Sequence, residues 1–218
     1  MANPALSAQN THDLRELARR RLPRIVFDFI DRGTEEEYTL RRNRDVFERI
    51  VFRPRTLVDV SGRSQKTTLF GKEYAMPVGI APTGIAGIAC FEADIALARA
   101  AAAQGVPFIL STASTIAMER VMREGGAGTR WFQLYMGSDR DEARKLVERA
   151  RDAGYEALAL TTDVPVQASR EYNVRNGFSV PFKLRGRNLI DGLAHPRWLA
   201  GVFLRTLMTS GVPRLENL

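Results

Sequence analysis

The 218-residue sequence has one cysteine, Cys90, and two histidines, His12 and His195. A single cysteine excludes an internal disulfide framework and a cysteine-rich metal site, and we expect no bound metal. No run of about 18 uncharged apolar residues is present, so no membrane-spanning helix is predicted. The first residues lack an apolar core followed by a small-residue cleavage site. We therefore predict no secretory signal and a cytoplasmic location.

Acidic residues are scarce in the last part of the sequence. The net charge is +7, from 32 Lys and Arg against 25 Asp and Glu. Within residues 183–218 the only acidic side chains are Asp191 and Glu216. A basic segment of this kind suits nucleic acid, a membrane surface or an acidic partner. Because no zinc spacing, basic-aromatic RNA motif or helix-turn-helix pattern accompanies it, we do not expect nucleic acid binding.

The pattern of predicted elements changes at residue 76. Residues 1–75 are predicted to form a helical extension followed by a short hairpin, "KTTLFGKEY". From residue 76 to 182, four apolar strands alternate with three amphipathic helices through short links: "MPVGIAP", "VPFILST", "RWFQLYM" and "ALALTTD" are the strands. This alternation indicates parallel strands joined by right-handed crossovers. It is typical of either a doubly wound sheet or a (β/α)₈ barrel.

The ends of the strands favour the barrel. Each strand passes from apolar to polar at its carboxyl end, and in a barrel these ends converge on one mouth, where active sites lie. A dinucleotide-binding sheet would carry G-x-G-x-x-G after its first strand, whereas "APTGIAGIA" has only G-x-x-G. A full barrel takes roughly 250 residues. We therefore predict an α/β fold with only the first four units of a TIM (β/α)₈ barrel.

Residues 183–218 are predicted to form a long basic loop with one or two helical turns after the fourth strand. Apolar side chains lie near basic ones in this segment: Trp198, Leu199, Val202, Phe203 and Leu207 are close to Arg197 and Arg205 in the sequence. This composition is typical of a helix lying on anionic lipid. The alternative is an ordinary amphipathic helix that packs on its own barrel.

Four motifs together resemble a known family: "MPVGIAPTG", "FILSTAS", "WFQLYM" and "LTTDVPVQASRE", in this order and spacing. They are similar to the FMN-dependent L-2-hydroxy acid dehydrogenases and oxidases. "LPRIVFDFIDRG" resembles the helical extension of that family, and "LIDGLAHPRW" is similar to its membrane-associated branch with mandelate and lactate dehydrogenases.

The resemblance implies FMN across the mouth of a barrel and oxidation of a small L-2-hydroxy acid, mandelate- or lactate-like, to the 2-oxo acid. The flavin carries the redox chemistry and the protein supplies placement and electrostatics. The electron acceptor would be a quinone or oxygen. A peripheral position on the inner face of the cell membrane and a homo-oligomeric complete enzyme are also implied.

Six strand-end residues match cofactor-binding positions of the family: Pro82, Thr83, Gly84, Ser111, Gln133 and Thr161. The first three resemble the backbone beside the reactive edge of the flavin, where glycine permits close approach. The other three resemble hydrogen-bonding partners of the flavin ring. The alternatives are a plain strand-to-helix turn for the first three, and helix capping or local backbone satisfaction for the others.

Five further residues match catalytic or substrate-binding positions. Tyr135 resembles a catalytic tyrosine beside the substrate, and Asp163 resembles the carboxylate that orients a catalytic histidine. Arg170 resembles an arginine near the substrate carboxylate. Phe29 stands where the family usually has a tyrosine, and the small Ala113 leaves room for an aromatic substrate. The alternatives are a core aromatic for Tyr135, a turn cap for Asp163 and a solvated Arg170.

The catalytic histidine and the phosphate-binding strand ends of the family belong to the second half of the barrel. Neither His12 nor His195 matches the catalytic position. We therefore predict an N-terminal half that is inactive alone. The alternatives are a non-catalytic or complementing half-barrel that needs a partner chain, and an unrelated barrel that binds a phosphorylated ligand.

Overall fold

The computed structural model describes residues 4–164, 166, 168–182 and 186–217. Its strands are β1 (Thr67–Leu69), β2 (Lys72–Tyr74), β3 (Phe108–Ser111), β4 (Arg130–Tyr135) and β5 (Ala157–Thr161). The first two form the predicted antiparallel hairpin. The other three form a parallel sheet in the order β3-β4-β5. The parallel pairing agrees with the alternation of strands and helices in the sequence.

The helices flank this sheet and extend before and after it. Their bounds are α1 (Thr11–Arg21), α2 (Arg24–Asp31), α3 (Tyr38–Asp45), α4 (Ala93–Gln104), α5 (Met118–Glu124), α6 (Arg140–Ala153), α7 (Glu171–Arg175), α8 (Arg187–Ala194), α9 (Pro196–Trp198) and α10 (Arg205–Ser210). Short 3₁₀ segments cover Pro4–Ser7, Val46–Arg49 and Ala86–Ile88, and a π-helical stretch covers Leu199–Leu204. Helices α4, α5 and α6 are the crossovers predicted from the sequence.

The predicted first strand, residues 76–82, is not a strand of the sheet. Only Ile80 forms an isolated parallel bridge, to Phe108. Pro77 and Pro82 lack the N–H that a ladder needs, which limits pairing to a single position between them. Among the described residues the parallel sheet therefore has three full strands, and the predicted set of four complete β/α units is not formed.

A buried apolar cluster holds the sheet against its helices. Phe108, Leu110 and Phe132 are at most 1% exposed and pack with Ile95 and Val121 from the helices. Burial of such side chains contributes roughly 1.5–3 kcal/mol each. The carboxyl ends of the strands are thus held on a rigid support.

The segment after residue 186 differs from the prediction, since it is mostly helical rather than a loop. Trp198 and Val202 are buried, and Leu199 and Phe203 pack against the same cluster. The indole N–H of Trp198 donates to the carbonyl of Ile88 at 2.7 Å. The interfacial interpretation was therefore wrong for these four side chains, which pack inward. Of the five apolar side chains in that prediction, only Leu207 is exposed.

Residues 46–60 form a stretch that no other part of the described chain covers. Val51 is 83% exposed, Phe52 98% and Leu57 106%. None of its apolar side chains belongs to either buried cluster. The outer edge of β5 is likewise unpaired within the described residues. None of the described helices is long and apolar enough to cross a membrane.

Candidate functional site

A row of polar side chains crosses the carboxyl ends of the three parallel strands. Ser111 Oγ donates to Gln133 Oε1 at 3.2 Å, and Gln133 Nε2 donates to Thr161 Oγ1 at 2.8 Å. The N–H of Thr112 also donates to Gln133 Oε1 at 3.2 Å. Parallel register places the three positions near one another, because Ser111 lies opposite Gln133 and Thr161 lies two residue pairs further on, opposite Tyr135. The three predicted cofactor contacts thus form one connected row.

This row retains hydrogen-bond donors for a ligand. The second hydrogen on Gln133 Nε2 and the hydroxyl hydrogen of Thr161 have no acceptor among the described residues. An amide and a hydroxyl at the end of a sheet suit the carbonyl oxygens and ring nitrogens of a flavin's pyrimidine edge. The residues present therefore fit FMN at this position.

Gly84 brings the segment that follows the Ile80 bridge close to the carboxyl end of β3. A Cβ added to Gly84 would lie 3.3 Å from the Cβ of Ala113 and 3.9 Å from Ser111 Oγ. Pro82 and Thr83 are exposed on the approach to this contact, and Thr83 Oγ1 lies 3.5 Å from the carbonyl of Ala81. Glycine permits this close approach of the two segments.

Phe29 and Arg170 lie together although they are far apart in the sequence. The guanidinium of Arg170 lies 5.7 Å from the centroid of the Phe29 ring. Phe29 also stacks on Phe178, with a centroid distance of 4.4 Å. Arg170 is exposed, so its guanidinium is accessible to an anion. The predicted substrate-binding pair is therefore brought together by tertiary contacts between α2 and the residues around α7.

Tyr135 and Asp163 are both exposed at the ends of neighbouring strands. Tyr135 is 45% exposed, which argues against the core alternative. Asp163 has no side-chain hydrogen bond among the described residues, and neither histidine contacts it there. His195 Nδ1 lies 2.7 Å from the carbonyl of Asp191, and His12 is on α1. The predicted histidine partner of Asp163 is thus not found in the described part of the chain.

One buried carboxylate behind the site was missed by the sequence reasoning. Asp94, on α4, is 1% exposed and accepts a hydrogen bond from Ser114 Oγ at 2.7 Å. Burial raises the pKa of Asp94 to about 6, and the Ser114 hydrogen bond partly offsets that rise. The signal was available, because Asp94 is flanked by the apolar residues Ala93 and Ile95 near the start of an alanine-rich helix.

The fold and the row of donors define a flavin-binding α/β protein with parallel strands. The family model for FMN-dependent dehydrogenases matches residues 18–216. The chain therefore belongs to the FMN-dependent dehydrogenase family, whose cofactor is FMN.

Related proteins of known sequence and structure agree with this membership. The chain is 43% identical over 208 residues to (S)-mandelate dehydrogenase of Pseudomonas putida, covering 95% of this chain and 51% of that protein. It is 44% identical over 192 residues to a putative L-lactate dehydrogenase of Mycobacterium tuberculosis, covering 88% and 46%. The crystal structure of monotopic membrane protein (S)-mandelate dehydrogenase matches with a TM-score of 0.89 and 42% identity, over 96% of this chain and 54% of the other. The chain thus spans about half the length of these relatives.

Proposed function

We propose that the chain supplies the N-terminal half of an enzyme that oxidises an L-2-hydroxy acid, mandelate- or lactate-like, to the 2-oxo acid. The observation that supports this proposal is the row Ser111–Gln133–Thr161 with its remaining donors. Bound FMN would accept the two reducing equivalents, with a quinone or oxygen as the final acceptor. The chain's own residues would bind and orient the flavin ring and the substrate.

Gln133 has the central role in cofactor binding. Its amide is oriented by two donors to Oε1 and by Thr161 at Nε2, so the second N–H has a fixed direction. A donor that is fixed before binding loses little freedom when the ligand arrives. Pro82, Thr83 and Gly84 would lie along the edge of the ring where the substrate reacts.

Arg170 and Tyr135 would hold the substrate. The Arg170 guanidinium is matched to a carboxylate, and the Phe29 ring beneath it limits its motion. The exposed Tyr135 hydroxyl would donate to the substrate beside it. Ala113, next to Gly84, leaves space for an aromatic group on C2. We propose mandelate rather than lactate as the better substrate for this reason.

The base that takes the hydroxyl proton would come from outside these 218 residues. Asp163 would orient that base and stabilise its charged form after proton transfer. We infer that the chain alone does not turn over. The second candidate, a half-barrel that works only with a partner chain, is favoured by the unpaired outer edge of β5.

The test combines flavin binding with complementation. The chain is titrated with FMN by fluorescence quenching, alone and mixed with the part of P. putida (S)-mandelate dehydrogenase that this chain does not match. Oxidation of (S)-mandelate and L-lactate is followed in both samples. We expect turnover in the mixture only, with mandelate preferred. Turnover by the chain alone would contradict the inferred need for an outside base.

A variant of Gln133 separates cofactor binding from folding. Gln133→Leu removes the oriented donor, and we expect the Kd for FMN to rise about tenfold or more, since a lost buried hydrogen bond costs about 1.5 kcal/mol. Gln104→Leu, at the exposed end of α4, is the matched control. Equal FMN affinity for both folded variants would overturn the assigned role of Gln133.

We also propose peripheral membrane binding, through a different face of the C-terminal helices from the one predicted. Apolar side chains on this face are between 41% and 79% exposed: Leu189, Ile190, Leu193, Leu204, Leu207 and Met208. The spacings of three and four residues place these side chains on common helix faces. Nearby arginines favour an anionic surface, such as the inner face of the cell membrane.

Vesicle sedimentation tests this surface. Ile190→Glu is expected to weaken binding to phosphatidylglycerol-rich vesicles about tenfold, because it removes an exposed aliphatic side chain that would enter the lipid and adds charge repulsion. Val174→Glu, on α7, introduces the same charge at another exposed apolar position. If both variants weaken binding equally, the loss comes from net charge alone, and the proposed membrane surface is contradicted.

A further inference from the structure

The last described residues fold back onto the loop between β3 and α5. The side chain of Asn217 is fully buried. Its Oδ1 accepts from the N–H of Met118 at 2.9 Å, and its Nδ2 donates to the carbonyl of Ile116 at 3.1 Å. The preceding N–H, of Glu216, donates to the carbonyl of Ser114 at 3.1 Å. Three hydrogen bonds therefore connect this segment to residues 114–118.

The same loop is part of the candidate site. It begins directly after Ser111, whose Oγ accepts from the N–H of Ala113 at 3.1 Å. The carbonyl of Ala113 accepts from the N–H of Ile85 at 2.8 Å. Ala113 also meets Gly84, as described above. The position of Ala113 thus affects how Gly84 and Ile85 approach the end of β3.

Ile85, whose N–H makes the hydrogen bond to Ala113, has a strained backbone. Its backbone is left-handed, with φ of 57°. A β-branched residue in this region is strained, and such strain persists only where neighbouring contacts enforce it. The hydrogen bond from Ile85 to Ala113 is one of those contacts, so the backbone beside Gly84 depends on where the loop is held.

We propose that Asn217 is a positioning residue that fixes the loop of residues 112–117 and, through Ala113, the backbone of Gly84 and Ile85 beside the cofactor. The proposal rests on the proposed function, since it assigns Gly84 to the flavin side. Asn217 acts at a distance, through the loop, and does not touch the cofactor or substrate. The proposal adds to the proposed function by naming the residue that holds Ala113 in place against Gly84.

A purely local role for Asn217 has a different signature. Capping of α5 would affect Met118 alone, because Ala117 provides no side-chain cap for that helix. Loss of overall stability would affect every protected amide, including that of Leu134 in β4. Positioning of the loop would affect Met118 and Ile85 together and leave Leu134 unchanged.

The experiment is amide hydrogen exchange on the full 218-residue chain, with Asn217→Ala and Asn217→Asp. We expect Asn217→Ala to accelerate exchange at Met118 and Ile85 roughly tenfold, with Leu134 unchanged. Asn217→Asp keeps the acceptor for Met118 and is expected to protect that amide while Ile85 exchanges at an intermediate rate. If Asn217→Ala fails to fold, the aspartate variant still separates the two amides.

Asn176→Ala is the matched control. Asn176 is another buried asparagine, and its amide donates to Asp28 at 2.7 Å without any bond to the loop. Acceleration at Met118 without Ile85, or equal acceleration at Ile85 in the control, would overturn the proposal. Acceleration at Leu134 together with Ile85 would overturn it too.

Flavin binding is measured in the same variants at equal folded fraction, in the state in which the wild-type chain binds FMN. We expect Asn217→Ala to weaken FMN binding about threefold to tenfold, and Asn217→Asp to restore part of it. Unchanged FMN affinity with accelerated Ile85 exchange would overturn the link to the site. A wild-type chain that binds no FMN, alone or complemented, would overturn the proposed function, while exchange at Ile85 still decides the position of the loop.

Discussion

Two parts of the chain are rich in apolar side chains, but one part is buried and the other is exposed. Around the parallel sheet, Phe132 and Leu110 are fully buried, whereas Phe52 and Leu57 in residues 46–60 are almost fully exposed. Residues 46–60 contain eight β-branched or aromatic side chains, and the 15 residues of β3, β4 and β5 contain six. The difference therefore comes from what lies beside each segment and not from composition.

The exposed segment is informative because monomeric proteins rarely leave contiguous apolar surface uncovered. The N-terminal half proposed above would expose side chains that the other half of the enzyme covers. The unpaired edge of β5 is consistent with the same explanation. The comparison between the sheet and residues 46–60 yields four predictions, given from the largest expected effect to the smallest.

Removal of an aromatic side chain from the core beside the sheet should have the largest effect on stability. Phe132→Ala is expected to lower the free energy of unfolding by about 3–5 kcal/mol, through lost burial and a residual cavity. Urea denaturation followed by tryptophan fluorescence measures the change. Phe52→Ala, the matched control, should cost less than about 0.5 kcal/mol. Similar losses for the two variants would contradict the contrast in burial.

The stability contributions of the buried Asp94 and the exposed Asp59 should change with pH in opposite directions. The pKa of Asp94 is raised from 3.8 to about 6, so its stabilising contribution is complete below pH 3.8 and is lost as the pH rises through 6. Asp94→Asn keeps an acceptor for Ser114 and is expected to stabilise the chain by up to about 3 kcal/mol above that range. Urea midpoints between about pH 4 and pH 7 measure the dependence.

Asp59, in the exposed segment, is the control for this titration. A backbone hydrogen bond from Ser61 lowers its pKa. Its contribution is therefore present above the ordinary carboxyl pKa and is lost as the pH falls. Asp59→Asn should give no stabilisation at neutral pH. A stabilisation equal to that of Asp94→Asn would show that the burial of Asp94 is not the cause.

A single buried hydroxyl should have an intermediate effect. Tyr155 donates to the carbonyl of Met118 at 3.0 Å, and burial raises the pKa of its hydroxyl. Tyr155→Phe is expected to cost about 1 kcal/mol in urea denaturation. Tyr38→Phe, on exposed α3, should be neutral. A neutral Tyr155→Phe would mean that the hydrogen bond adds no net stability.

The smallest effect is expected within the exposed segment itself. Leu57→Ser should change the free energy of unfolding of the isolated chain by less than about 0.5 kcal/mol. The same substitution should lower the fluorescence of a bound hydrophobic dye, because Leu57 is fully exposed. A loss above about 1 kcal/mol would mean that Leu57 is covered in solution.

The regular crossovers were predictable from sequence because local signals agree with the packing. Gly105 and Gly154 follow amphipathic runs and end α4 and α6 in the left-handed conformation, which glycine favours. The first strand was less predictable. Its apolar character was read correctly, but Pro77 and Pro82 restrict its pairing to Ile80. Within the helical extension predicted for residues 1–75, α3 covers only Tyr38–Asp45 and a 3₁₀ turn follows.

The candidate site was predictable in its residues but not in its connections. Ser111, Gln133 and Thr161 were named from strand ends and resemblance, and parallel register then joins them by hydrogen bonds. The contact of Phe29 with Arg170 joins segments that are distant in sequence. Asn217 gave no signal, because an asparagine near a basic tail is ordinarily solvated. The roles assigned to these residues stay predictions.

The sequence by itself determined the alternation of strands and helices, the polar residues at each strand end and the resemblance to a flavin-dependent family. These follow from short-range rules of periodicity, capping and strand propensity. Only the tertiary structure decided that Trp198 and Val202 face inward, that Phe52 and Leu57 stay uncovered, and that Asn217 hydrogen-bonds to Met118 and Ile116. Burial depends on neighbours distant in sequence, and periodicity identifies an apolar face without saying what covers it.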